Sequence, residues 1–184
     1  MFERRISNRN SLICGLLAII AFVGIGLAAS AQEEPAGSPA IDYPGFLDLT
    51  AEVFDIREDR LVALDVFNAM AAEPNTIILD TRSAAAFEMG HISGAINLPF
   101  SDFTDGKLAS VIPSKDTRIL IYCNNNFSDN IEPIMVKRVE LALNIPTFIN
   151  LYGYGYEDLY ELGELTETSN PDVDWVSALD LQEN

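Results

Sequence analysis

Cys123 is the first residue past the apolar run Arg118-Ile119-Leu120-Ile121-Tyr122, and it opens the polar stretch Asn124-Asn125-Asn126-Phe127-Ser128-Asp129. A thiol at the end of such a run is placed for nucleophilic or redox chemistry, because ligand chemistry in strand–helix folds gathers at the carboxyl ends of strands. The bland reading is a buried cysteine acting as a small hydrophobe. Asp80 and Arg82 close the run Thr76-Ile77-Ile78-Leu79 in the same way, so they are expected at the same sheet edge as Cys123. Arg82 reads first as a structural ion-pair partner. Asp80 could line a pocket, although a carboxylate there disfavours a neighbouring thiolate. His91 is the only histidine. One imidazole falls short of a zinc site, which takes three or four such ligands, and no metal or other cofactor is expected.

The other cysteine, Cys14, lies in what reads as a targeting segment. Arg4, Arg5 and Arg9 precede the almost wholly apolar residues 11–27, and Ala29-Ser30-Ala31 supplies a small-x-small cleavage pattern. Residues 1–31 are therefore expected to be a secretory signal cut after Ala31, the apolar run being short for a membrane span of about 20 residues. An uncleaved N-terminal anchor is the alternative. Lipidation of Cys14 is disfavoured, because it stands at the start of the apolar run behind the bulky Ile13. Cleavage leaves Cys123 as the one cysteine of a periplasmic or secreted chain, in a compartment where cysteines ordinarily pair. It also removes Arg4, Arg5 and Arg9 against Glu3, taking the formal net charge from −17 to −19. So acidic a chain repels nucleic acid and anionic membrane surfaces. No nucleic-acid partner and no stable membrane contact after cleavage are expected, and the oligomeric state stays open.

The elements that must position these residues alternate in type. Runs at 76–79, 95–98, 118–122 and 147–150 read as strands, and runs that stay apolar suit a parallel sheet buried on both faces. Helical patterns fall at 65–72, at 83–89 with Ser83 as N-cap, at 104–112 with Thr104 as cap, at 133–143 opened by Pro133, and at 156–162. Phe46, Leu49, Val53 and Ile56 place an additional helix within 45–59. Such alternation means an α/β layer fold. Residues 32–60 hold a flexible Pro-, Ala-, Glu- and Gly-rich leader and this extra helix, residues 61–165 the body, and residues 166–184 an acidic tail. In the tail, Trp175, Val176 and Leu179 form one stripe of a short docking helix, or the terminus frays.

The segments Leu79-Asp80-Thr81-Arg82, Phe87, Gly90-His91-Ile92, Gly94-Ala95 and Asn97-Leu98-Pro99 resemble, with matching spacing, the first signature of the rhodanese-like family. Ile121-Tyr122-Cys123 resembles the strand that enters that family's active-site loop. Asn150-Leu151-Tyr152-Gly153-Tyr154-Gly155-Tyr156 resembles its later leucine–glycine–glycine segment. The resemblance covers about residues 61–163. It implies a three-layer fold with a central parallel sheet of about five strands flanked by helices. It also implies a sulfurtransferase that needs no cofactor, with Cys123 catalytic, Asn124 to Asp129 forming the active-site loop, and Asp80 and Arg82 in support. In that family the loop amides and a helix N-terminus point at the sulfur and stabilise a thiolate and then a persulfide. His91 takes a structural place at a turn. Gly90, Gly94, Gly153 and Gly155 read as sites of positive φ or close backbone approach.

The loop departs from the family's pattern. Asn126 stands where Gly is common, and Ser128 where an Arg ends the loop; the next basic residues, Lys137 and Arg138, are expected inside the following helix. Asp129 and Glu132 add negative charge near that helix start, and Ala86 replaces the Glu that usually pairs with Arg82. The stretch from Cys123 to Asn144 is a few residues longer than usual. Asn tolerates left-handed backbone and its amide donates hydrogen bonds, so the Asn run can still curl about a sulfur. The absent Arg counts against phosphatase-like chemistry, which needs bidentate phosphate binding. Two functions follow. One is an exported sulfurtransferase forming a persulfide on Cys123, its partner a small sulfur-containing substrate or a protein persulfide. The other is a non-catalytic rhodanese-like binding or thiol redox-sensing module. Both expect an accessible Cys123 with a lowered pKa. The first expects neutral or protein-bound donors in preference to dianionic thiosulfate, which lacks a guanidinium fork here.

Overall fold

The computed structural model describes residues 39–129 and 136–177. The chain divides between Ala40 and Ile41, and the architecture below belongs to the residues after that division. The expected signal, residues 1–31, lies outside the described residues.

The strands are β1 (Leu61–Val62), β2 (Thr76–Asp80), β3 (Gly90–Ile92), β4 (Ile96–Asn97), β5 (Arg118–Tyr122), β6 (Leu159–Leu162) and β7 (Trp175–Ser177). Five of them form one sheet in the order β1-β6-β5-β2-β4, with every pairing parallel. The central strands stay apolar because both their faces are covered. In β5, Ile119 and Ile121 enter one core with Leu79, Phe148 and Leu159, while Leu120 and Tyr122 enter the opposite core with Phe67, Ile78 and Phe127. The helices are α1 (Tyr43–Arg57), α2 (Leu64–Ala71), α3 (Ala84–Met89), α4 (Asp105–Val111) and α5 (Asn144–Gly153). Residues of α1, α4 and α5 fill the first core; α2, β3 and the segment around Val173 fill the second. The extra N-terminal helix is present and is capped by Asp42, which accepts from Gly45 N at 2.9 Å. Ser83 and Thr104 cap α3 and α4 as their positions suggest.

The strand order reverses between β2 and β5, whose registers pair Asp80 with Tyr122. A crevice opens at the carboxyl ends where such a reversal occurs. Arg82 and Cys123 both lie just beyond that edge.

Four expectations are corrected. Residues 147–150 are not a strand; they form the middle of α5. Pro146 sits in that helix's first turn, where no N–H is needed, and Ile145, Phe148, Ile149 and Tyr152 follow helical spacing into one core. Residues 156–162 are not a helix; they end in strand β6. Its Glu161 disguises it, since a carboxylate in a central strand survives only with buried partners. Residues 133–143 are not the expected helix: residues 136–138 are irregular and Val139–Leu141 is a single 3₁₀ turn, while 133–135 lie outside the described residues. Val136 and Val139 are exposed, so their spacing had no core to face. In the tail, Trp175–Ser177 pairs antiparallel with Gly90–Ile92 as a strand, not a helix; Leu179 lies outside the described residues.

Gly94 and Gly155 have φ of 76° and 80°. Gly90 serves close approach: a Cβ there would lie 2.4 Å from Trp175 Nε1. Gly90→Ala is therefore expected to loosen the β3–β7 pair at a cost of about 1–3 kcal/mol. The single tryptophan reports it, with a red-shifted emission and a lower urea midpoint. Gly106→Ala, in α4 with nothing within 4 Å of the added Cβ, is expected to leave the emission unchanged.

Candidate functional site

Past β5 the backbone stays extended at Cys123 and then makes one 3₁₀ turn, Asn124–Asn126. The turn is pinned by the side chain of Asn126. Its Oδ1 accepts from Cys123 N at 2.9 Å and from Asn144 Nδ2 at 3.2 Å; its Nδ2 donates to Leu162 O at 2.8 Å and to Glu164 O at 3.2 Å. Asn144 Nδ2 also donates to Glu161 Oε1 at 3.0 Å. Glu161 in turn receives Nε and Nη2 of Arg57 at 2.7 and 2.6 Å. A continuous polar chain thus runs from α1 through β6 and α5 to the cysteine loop. Asn125 extends it: its side chain exchanges two hydrogen bonds with the backbone of Lys137, at 2.8 and 3.1 Å.

The sulfur is enclosed. Cys123 is 2% exposed and lies at the base of a cleft of about 240 Å³ bordered by Arg57, Asn125, Asn126, Ala142, Asn144, Glu161 and Glu164. Asn126 N donates to the sulfur. Burial pushes the thiol up from its ordinary value; the backbone N–H groups of Asn144, Asn125 and Leu143 work the other way, and the Glu161 carboxylate adds to the rise. The expectation of an accessible thiol with a lowered pKa is therefore corrected. Amides do converge on the sulfur, but desolvation outweighs them. Leu143 and Asn144 begin α5, so a helix N-terminus does face the sulfur, though one that starts later than residues 133–143 suggested.

The other expected site residues separate into groups. Asp80 and Arg82 form a buried ion pair, Nη2 to Oδ2 at 2.5 Å. Arg82 also donates to Gly90 O at 2.7 Å and Asn124 Oδ1 at 3.2 Å, and Tyr122 donates its hydroxyl to Asp80 at 2.6 Å. This pair props the loop from behind, and Asp80 replaces the partner missing at Ala86. Phe127 is a core residue, its ring 5.9 Å from Tyr122 and 5.0 Å from Trp175. Ser128 and Asp129 face the tail. Ser128 N donates to Thr166 O at 2.9 Å, and Asp129 accepts from Thr168 N at 2.7 Å and Ser169 N at 3.1 Å. Partial burial works against the Asp129 carboxylate, yet these backbone bonds hold it below the usual range. Neither residue borders the sulfur cleft. His91 Nδ1–H donates to Phe87 O, 2.8 Å away, and the ring stacks on Phe87; its role is structural. Lys137, irregular rather than helical, borders a neighbouring cleft of about 570 Å³ with Arg82, Ser83, Asn124 and Leu143.

Arg57, Asn144 and Glu161 were missed as site residues. Arg57 lies 66 positions upstream of Cys123, outside any motif. Asn144 was hidden by misreading its helix. One signal was available for Glu161: a lone acid inside the run Leu159-Tyr160-Glu161-Leu162, which in a strand demands a buried partner.

Residues 63–162 match the rhodanese-like domain family. A curated relative, tRNA uridine(34) hydroxylase of Bradyrhizobium diazoefficiens, is 37% identical over 60 residues; the match covers 31% of this chain and 24% of that protein's length. Similar solved structures include the rhodanese-like domain of the Anabaena Alr3790 protein, at 23% identity, with 56% of this chain and 67% of that chain covered and a TM-score of 0.40. Another is rhodanese with anions from E. coli, at 21% identity, 49% and 87% covered, TM-score 0.34. A third is a single-domain sulfurtransferase of Saccharomyces cerevisiae, at 13% identity, 56% and 82% covered, TM-score 0.39.

Two outcomes test the site. Asn126→Gly installs the residue common in the family but strips the buried bonds just described. It is expected to lower stability by about 1–3 kcal/mol, read from urea unfolding. The raised thiol predicts slow alkylation of Cys123 near neutral pH, with a midpoint above that of a free thiol. The folded state then holds the proton longer than the unfolded one. Stability is full below the unfolded thiol value of about 8.5 and falls as pH climbs through the folded value. Cys123→Ser should remove that part of the slope.

Proposed function

Because this chain belongs to the rhodanese-like domain family, we propose that it is a sulfurtransferase that carries sulfane sulfur on Cys123. The observation that carries this reading is the convergence of backbone N–H groups from Asn125, Asn126, Leu143 and Asn144 on one sulfur. Such a nest suits an anionic sulfur. The Cys123 thiolate attacks the terminal sulfur of a donor persulfide or hydropolysulfide. A new S–S bond forms, the donor's S–S bond breaks, and the donor thiolate leaves with the electron pair. A nucleophilic acceptor then attacks the outer sulfur and returns Cys123 as thiolate, so no external oxidant is required. A persulfide ionises more readily than a thiol, which suits a cradle whose desolvation holds back the thiol itself.

The donor class follows from charge. In the sulfur cleft Arg57 is engaged by Glu161. A dianion such as thiosulfate gains no free guanidinium there, and the chain's net charge of −17 repels it. Neutral polysulfides or a partner protein's persulfide fit better. The same charge argues against the tRNA substrate in the hydroxylase's name. The amino-terminal pattern supports export to the periplasm or beyond, with the chain starting at Gln32. A second reading is a binding or redox-sensing module, favoured by one observation: Cys123 is only 2% exposed.

Intact mass of the purified protein, before and after a sulfane sulfur donor, separates the two. Sulfur transfer predicts a gain of one sulfur that reductant removes and that Cys123→Ser abolishes. No gain with any donor, with Cys123 intact and reduced, leaves the module reading.

A further inference from the structure

We propose that Arg57 is a positioning residue of the Cys123 site: by clamping Glu161 from helix α1, it sets the charge that the sulfur faces. The inference rests on Cys123 being the reacting group. Arg57 lies outside the matched residues 63–162, so the helix preceding the family domain becomes part of its site. That helix is fixed in place. Val53 is buried in the core shared with α5, and Tyr152 of α5 donates to Glu52 at 2.7 Å.

Glu161 occupies a central position in β6, beside β5, with its side chain 6% exposed. A carboxylate there is strongly unfavourable unless both oxygens are engaged. Arg57 takes both, and Asn144 takes one of them as well. Asn144 also turns its backbone N–H to the sulfur and its side chain to Asn126. The clamp therefore acts twice. It neutralises the carboxylate nearest the thiol, and it holds the α5 start against the loop. The charged residues bordering the cleft are Arg57 from α1, Glu161 from β6 and Glu164 just beyond it, whose carboxylate is turned to the start of α2 and accepts from Leu64 N at 3.0 Å. The loop residues Asn125 and Asn126 and the α5 start add none. Ser128 faces the tail and Lys137 the neighbouring cleft, so among the described residues that border the sulfur's cleft Arg57 is the single cation.

The test is the rate of iodoacetamide alkylation of Cys123 against pH, followed on the Cys123 peptide of the full chain by mass spectrometry. Arg57→Gln is expected to raise the midpoint by about one pH unit, the usual effect of an unmasked neighbouring carboxylate. Arg57→Lys is expected to stay near wild type. Glu161→Gln is expected to fall below wild type, and the Arg57→Gln/Glu161→Gln double variant to return to wild type or below. A folded Arg57→Gln with an unchanged midpoint overturns the proposal. Should Arg57→Gln fail to fold, Glu161→Gln decides alone, and a midpoint equal to or above wild type overturns it. Alkylation requires no sulfur donor. A protein that shows this order of midpoints yet gains no sulfur contradicts sulfur transfer while upholding the role of Arg57.

Discussion

The side chain of Asn126 is where strand, loop and helix are tied together. A primary amide offers two donors and two acceptor sites, and here all are used, on the Cys123 N–H, two β6-side carbonyls and Asn144. It reinforces the backbone bonds of the turn, Asn126 N to Cys123 O at 3.0 Å and Phe127 N to Asn124 O at 3.1 Å. With it, the turn Asn124–Asn126 brings amides to the sulfur from one side, while Asn144 brings the first turn of α5 from the other. A glycine can make such a turn by backbone freedom alone. An asparagine makes it by bonding, and so the rest of the polar chain, Asn144, Glu161 and Arg57, becomes obligatory.

The consequence is a sulfur held in two opposed fields. Convergent amides favour an anion, and burial beside a carboxylate favours the neutral thiol. Burial wins for the thiol, and an enclosed, protonated sulfur is slow to oxidise or to form stray disulfides. Cooperation among the bonds makes the site stiff: the side chains of Arg57, Glu161, Asn144 and Asn126 each have partners in the network, and loss of one strands the next. The Asp80–Arg82 pair does the same on the other flank, reaching Asn124 and Gly90. The loop is thus braced from both sheet faces by ion pairs that themselves never touch the sulfur.

Much of this was legible in the residues. The unbroken apolar runs of β2 and β5 disclose a two-faced sheet, and the caps at Ser83 and Thr104 are local signals that tertiary context did not override. The Asp80–Arg82 pair sits at the sheet edge as its spacing suggested. Two of the four errors lie between Pro146 and Leu162. There β-branched Thr147 and Ile149 imitate a strand, while Glu161 makes the strand β6 read as a helix. Both segments are dictated by long-range burial, against their local preference. The site's charge was illegible for the same reason. Arg57 and Glu161 meet across 104 positions of sequence, and no spacing rule spans that distance. The loop's departures misled in a specific way: Ser128 and Asp129 were weighed against the sulfur, whereas they hold the tail, whose backbone returns to Asn126 through Thr166.

The most direct measurement is a crystal structure of the protein after treatment with a sulfane sulfur donor. The expected result is a second sulfur on Cys123 lying among the N–H groups of Asn125, Asn126, Leu143 and Asn144, with the Asn126, Glu161 and Arg57 bonds intact. An unmodified Cys123 in a closed core, or a persulfide turned away from those amides with the Asn126 bonds broken, would contradict it.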